Sequence, residues 1–171
     1  MRASSSGASA APIPPKAAKR IHRELTDFRT APPPFVPKMA VDETNMRHLY
    51  FLIEGPDDSP FKGGEYVLRV ELPNDYPMSA PVLRMLTPSG RFEVDKSICT
   101  TFTHFHPESW SPTYNFSNIM VSFVSFMLEP QHPKHHVAVG GMYASEETQR
   151  EYALTSKEWN KKKGFDARFL E

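Results

Sequence analysis

Three observations predict an α+β fold. Residues 16–28 repeat apolar side chains at helical spacing, residues 39–86 break into short strand-like segments separated by turn residues, and residues 115–129 are apolar around most of a helical circumference. The expected architecture is an N-terminal helix, a four-stranded antiparallel meander, a buried central helix and a C-terminal helix.

Each element has its own warrant. Residues 1–15 are Ser, Ala, Gly and Pro with few large apolar side chains; they cannot offset the entropy of ordering and are expected to form a disordered tail. In KAAKRIHRELTDF, Ile21, Leu25 and Phe28 share one helical face, Lys16, Lys19, Arg20 and Arg23 lie between them, and Pro32, Pro33 and Pro34 stop the helix. Strands are expected at 39–43, 49–54 and 65–72, the last alternating as YVLRVEL, with a fourth in PVLRML. Gly63 and Gly64 are free to take positive φ in the turn-rich connection between the second and third strands. The loop LPNDYPMSAP is too rich in proline to pair centrally. An irregular stretch at 87–113 is long for a structureless connection, and such loops are usually functional. NFSNIMVSFVSFMLE follows, capped by Ser117 or Asn115 and ended by Pro130. The last helix, SEETQREYALTSKEWNKKK, begins acidic and ends basic, which suits the helix dipole.

Charge and cysteine content exclude whole classes. With 20 Lys+Arg against 20 Asp+Glu, the chain lacks the net positive charge that nucleic acid or an anionic membrane would require of a main partner. No apolar run reaches the roughly 18 residues of a membrane span, and the N-terminus lacks the apolar core of a secretory signal. One cysteine makes no intramolecular disulfide and no zinc site needing two thiolates, so a reducing compartment, cytosolic or nuclear, is expected.

Cys99, in SICTTF within the long loop, is either buried filler or a reactive thiol. His104 and His106 follow it, and either can serve as base if the fold brings it within reach. His104 with His106, and His132 with His135 and His136, also raise the question of a metal; Pro133 argues against a helical ligand pair, and no metal site is expected.

Several strings resemble the ubiquitin-conjugating enzymes, the thiol carriers between ubiquitin-activating enzyme and ubiquitin ligase. They are KRIHREL, FLIEGPDDSPFKGGEYVLRVELPNDYPMSAP, SICTTF and WSPTYNFSNIMVSF, and together they run from about Lys16 to about Trp159. The resemblance implies the ubiquitin-conjugating fold over residues 16–163, flanked by the tail at 1–15 and a C-terminal extension at 164–171. TPSGRFEVDKSIC and FTHFHPESWSP are most similar to the branch associated with the endoplasmic reticulum and its degradation pathway; three residues more separate Cys99 from Trp110 than is common in the family. Members of that branch usually end in a membrane-spanning tail. The location implied is the cytoplasm, at the cytosolic face of the endoplasmic reticulum.

Cys99, by this resemblance, accepts the ubiquitin acyl group from another thioester and yields it to a substrate amine or a ligase thiol, with no cofactor and with ATP consumed upstream. His106 is the expected residue for positioning or deprotonating the acceptor, and the loop with His132 and His136 faces the same groove. Where most of the family has His-Pro-Asn, this chain has Ser89-Gly90-Arg91. The donor that the Asn provides, whose like is worth on the order of 3 kcal/mol, must be replaced by a backbone N–H or the Ser89 hydroxyl. A hydroxyl acceptor stays open on that ground. The activating enzyme is expected on Lys16, Lys19, Arg20 and Arg23, and the ligase on Leu72, Pro73, Ser111 and Pro112, with Trp110 as a packing anchor beneath the loop. Two other roles fit the same fold: a catalytically weak ubiquitin-binding scaffold, or a carrier of another ubiquitin-like modifier.

Overall fold

Helix α1, Pro15–Thr30, forms because Ile21, Leu25 and Phe28 fall on one side of a 3.6-residue repeat, and all three are buried. Pro15 sits at the first helical position, where its missing N–H leaves no bond unmade. The computed structural model describes residues 12–134 and 137–169. Most of the expected tail, residues 1–11, lies outside them, as do His135 and His136.

Four antiparallel strands follow in the order β1-β2-β3-β4: β1 Lys38–Val41, β2 His48–Glu54, β3 Glu65–Glu71 and β4 Val82–Met85. The period of two divides their side chains between two faces. Leu49, Phe51 and Ile53 of β2, Leu68 and Val70 of β3, and Leu83 and Met85 of β4 enter the main core. Tyr50, Leu52 and Val67 point the other way into a second cluster. The pairing Phe51↔Leu68 and Leu52↔Val67 keeps each set on its own face. Gly63 adopts φ +75° in the turn before β3; Gly64 does not, and its lack of a side chain instead leaves room for the Tyr66 ring.

Helix α2, Phe116–Leu128, lies across the inner face and buries Phe116, Ile119, Met120, Phe123, Val124 and Met127. Its cap is Asn115, whose side chain accepts the Asn118 N–H, rather than Ser117. Aromatic edges join the layers: Phe28 meets Phe51 at 5.2 Å between ring centroids, Phe51 meets Phe116 at 6.1 Å, and Tyr76 stacks on Phe116 at 5.9 Å.

Helix α3, Glu146–Lys162, starts at Ser145, whose hydroxyl accepts the Thr148 N–H. It is tied to the sheet by polar bonds. Ser156 Oγ accepts the Glu65 N–H, Asn160 Nδ2 donates to the Glu65 carbonyl, and Thr87 Oγ1 donates to Asn160 Oδ1. A final 3₁₀ turn, Asp166–Phe169, lays Phe169 against Tyr50, Leu52, Val67 and Leu86 on the outer face of the sheet. Arg168 stacks over the Tyr50 ring at 4.2 Å and pairs with Asp42 at 3.4 Å. The described part of the expected extension is therefore packed on the domain.

Candidate active site

The irregular loop after β4 is turns, two isolated bridges and one 3₁₀ turn, Pro107–Ser109. It is nevertheless held on both sides of the cysteine. Ile98 is fully buried and its N–H donates to the Leu83 carbonyl, while the Cys99 N–H donates to Val139. Two further bonds join this loop to the 137–142 segment: the Glu93 N–H donates to the Gly140 carbonyl and the Met142 N–H donates to the Arg91 carbonyl. Gly140, at φ +76°, lies against the Ser97 carbonyl where a Cβ would overlap it, so the close approach of that segment to the cysteine strand requires glycine.

Beyond Cys99 the chain folds back. Thr103, with no exposed surface, donates its hydroxyl to the Thr100 carbonyl at 2.8 Å and accepts the Thr100 N–H at 3.1 Å. The His106 N–H then donates to the Thr103 carbonyl. These two turns bring residue 106 back to residue 99. His106 Nε2 lies 3.3 Å from Cys99 Sγ, and Nδ1 lies 3.0 Å from Glu108 Oε1. Glu108 is held below the usual carboxylate range by its own backbone N–H and by His106.

The half-buried thiol opens onto a groove of about 630 Å³, lined among others by Thr101, His106, Tyr114, Asn118, Ser122 and Phe126. Such a site offers an accessible sulfur, a ring nitrogen beside it and room for an extended peptide along α2. That arrangement suits acyl exchange on sulfur with a proton acceptor at hand.

The other sequence-predicted residues fall in different places. Ser89 has no exposed surface, and its Oγ accepts the backbone N–H groups of Arg91 and Phe92 at 3.2 and 3.3 Å. It does not line the groove, and its neighbour Gly90 packs toward α3. A hydroxyl shut off from solvent and committed to a local turn cannot reach an oxyanion on an incoming substrate, which corrects the expectation for Ser89. Leu72, 5% exposed, is part of the core and offers a partner no surface. Pro73, Ser111 and Pro112 are partly exposed. Lys16, Lys19 and Arg23 are exposed, whereas Arg20 turns inward, pairing with Glu24 and donating to the Tyr114 carbonyl at 2.9 Å.

Trp110 donates its indole N–H to the Pro77 carbonyl at 2.9 Å and meets the Tyr114 ring at 5.4 Å. The pair His104 and His106 does not share a strand face. The His104 ring lies tilted against Phe105, 4.1 Å between centroids, and burial, then Arg84, holds it below the ordinary imidazole range. His132 lines an adjoining cavity of about 230 Å³ that shares Phe126, Glu129 and Ala138 with the groove of Cys99. Among the described residues no three His, Cys, Asp or Glu side chains cluster as a metal site would require.

Two features went unread in the sequence. Glu24 is buried on the apolar face of α1, where both its oxygens accept the Tyr76 hydroxyl at 2.9 Å and Oε2 accepts the Phe116 N–H at 3.0 Å. Met78 is 66% exposed, next to Pro77, whose carbonyl holds Trp110.

Comparison with known proteins places these features in context. Residues 20–160 match the family model described as "Ubiquitin-conjugating enzyme". The chain is 38% identical over 142 residues to "Ubiquitin-conjugating enzyme E2 6" of Schizosaccharomyces pombe, covering 83% of this chain and 60% of that protein. It is 34% identical over 148 residues to "Ubiquitin-conjugating enzyme E2 32" of Arabidopsis thaliana, covering 86% of this chain and 46% of that protein. Against a mimivirus relative, "Probable ubiquitin-conjugating enzyme E2 L709", identity is 38% over 121 residues, covering 66% of this chain and 31% of that protein. The chain thus spans less than two thirds of the length of these relatives. No helix among the described residues is long and apolar enough to cross a membrane.

Proposed function

The chain belongs to the ubiquitin-conjugating enzyme family, and from that premise we propose that it carries ubiquitin as a thioester on Cys99 and passes it to a substrate amine or a ligase thiol. The observation that carries this reading is the chain's single thiol, half-buried at the head of a groove, with His106 Nε2 at 3.3 Å. Exchange between thioesters is close to isoenergetic, so the chain itself needs no cofactor. The thiol must leave in the last step, and among the described residues no Lys or Arg lines the groove to hold its thiolate too firmly. His106 receives the acceptor's proton. Uncharged donors lining the groove, among them the Thr101 and Tyr114 hydroxyls and the Asn118 amide, take the place of the missing Asn toward the oxyanion.

The working unit is residues 16–163, with a tail before it and an extension after it. Exposed Lys16, Lys19 and Arg23 suit an acidic face of the activating enzyme. For the ligase, Pro73, Ser111 and Pro112 are joined by Met78, the exposed apolar side chain beside the Trp110 anchor. The activity belongs to protein degradation at the cytosolic face of the endoplasmic reticulum; the approach TPSGRFEVDKSIC and the lengthened FTHFHPESWSP support that assignment.

The test is direct. Mixed with activating enzyme, ATP and ubiquitin, the protein forms an adduct that reducing thiol cleaves and that Cys99→Ala cannot form. Absence of the adduct, or its persistence in Cys99→Ala, overturns the proposal. The acceptor is read from the product: a hydroxylamine-sensitive, thiol-resistant bond lost in His106→Ala identifies a hydroxyl, and purely lysine-linked product excludes one.

A further inference from the structure

His106 has two ring nitrogens and both have partners of definite chemistry. Nε2 faces Cys99 Sγ at 3.3 Å; Nδ1 faces Glu108 Oε1 at 3.0 Å. An ionised carboxylate only accepts, and a neutral imidazole carries one proton, so the proton on Nδ1 leaves Nε2 bare toward the sulfur. The 3₁₀ turn Pro107–Ser109 builds this contact locally. His106 is its cap residue, the Ser109 N–H donates to the His106 carbonyl at 3.0 Å, and residue 108 is thereby set beside the ring of residue 106. Glu108 meets no Lys or Arg within ion-pairing distance among the described residues, and its recorded side-chain partner is His106.

We propose that Glu108 is a positioning residue for acyl transfer, fixing His106 as the Nδ1–H tautomer so that bare Nε2 takes the acceptor's proton. This deepens the reading of His106 given above and rests on it. The depressed titration of Glu108 agrees, since the carboxylate stays an acceptor throughout the range in which the imidazole is neutral. In the step itself, the acceptor's nitrogen or oxygen forms a bond to the ubiquitin acyl carbon and its proton passes to Nε2. The acyl carbon–sulfur bond then breaks, and the departing Cys99 thiolate recovers the proton from Nε2–H. The imidazole ends in the tautomer in which it began, and no oxidant or further reactant enters.

The tautomer is read directly by long-range proton–nitrogen correlation on the full chain with labelled histidine, at alkaline pH. His106 is expected with its proton on Nδ1, and Glu108→Ala is expected to move it toward Nε2. Single-turnover discharge, measured on protein already loaded with ubiquitin so that loading does not enter, is expected to slow about tenfold in Glu108→Ala at saturating acceptor, a modest part of what proton transfer usually contributes. The acceptor KM stays within about twofold. Glu108→Gln is expected to recover most of the rate, because its amide oxygen also accepts from Nδ1–H. A wild-type ring protonated on Nε2, or a Glu108→Ala variant that changes neither tautomer nor rate, overturns the inference. Discharge at the wild-type rate in His106→Ala instead overturns the parent reading and the catalytic part of this one, while the tautomer result still decides what Glu108 does to the ring.

Discussion

Glu24→Ala is the most severe single change that the structure predicts outside the apolar core. Glu24 is 3% exposed and accepts the Tyr76 hydroxyl and the Phe116 N–H while pairing with Arg20. Truncation leaves two buried donors without acceptors, each worth about 1–3 kcal/mol, and strips the half-buried guanidinium of its counter-charge. The expected loss is about 3–5 kcal/mol, a large share of the stability of a domain this size. Glu24→Gln keeps the shape and one acceptor oxygen, so about 1–2 kcal/mol is expected. Tyr76→Phe removes a donor without orphaning the carboxylate and should cost about 1 kcal/mol. In the double variant with Glu24→Ala, the orphaned hydroxyl is gone, and the loss should fall short of the sum by about 1 kcal/mol. Urea titration of wild type and the four variants, with slopes compared to exclude a change in the denatured state, gives these differences. Losses below about 0.5 kcal/mol for Glu24→Ala, or strict additivity with Tyr76→Phe, would refute the assignment of Glu24 as the polar joint between α1, the Tyr76 loop and the start of α2.

Three further outcomes are expected. Thr103→Val preserves volume but loses both bonds to Thr100, and should cost about 1–2 kcal/mol while slowing thioester discharge more than loading, read by urea titration and gel assay. Asp42, held at about 2 by the Thr44 hydroxyl against the opposing effect of its burial, has a folded value below its unfolded one; it therefore stabilises the fold above pH about 4 and loses that contribution as pH falls through about 2. Asp42→Asn should accordingly cost on the order of 1–2 kcal/mol at neutral pH, with the gap to wild type closing between those limits in pH-dependent thermal melts. Met78→Asp should leave thioester formation on Cys99 intact and weaken ligase-stimulated transfer, measured by comparing discharge with and without ligase; equal stimulation of both proteins would remove Met78 from that surface.

The layers of this fold are legible in the chain because its two periods are clean, and the differences trace to particular residues. Leu72 follows Val70 by two positions, so the alternation of β3 carries it into the core although the strand has ended. Met78 sits in a proline-bracketed loop with no period to read, and its exposure depends on how Pro77 is held by Trp110. Cys99 stood out by being the only thiol, but its closeness to His106 depends on two turns made by Thr103, which spacing alone does not encode. Ser89 had the right chemistry and the wrong depth: a buried turn at 89–92 consumes its oxygen.

Glu24 is the opposite case, legible in principle, since positions 21, 24, 25 and 28 fall on one helical face and a carboxylate there must find donors from another element. The candidates were in view. A tyrosine in the loop between β3 and β4 and the unmet N–H groups at the start of a buried helix are the two kinds of donor such a carboxylate can recruit, and Tyr76 and Phe116 supply them. Because Arg20 on the same helix also holds the Tyr114 carbonyl, and Tyr114 lines the groove of Cys99, the polar residue on that apolar stripe links the helix assigned to the activating enzyme with the wall of the thiol site.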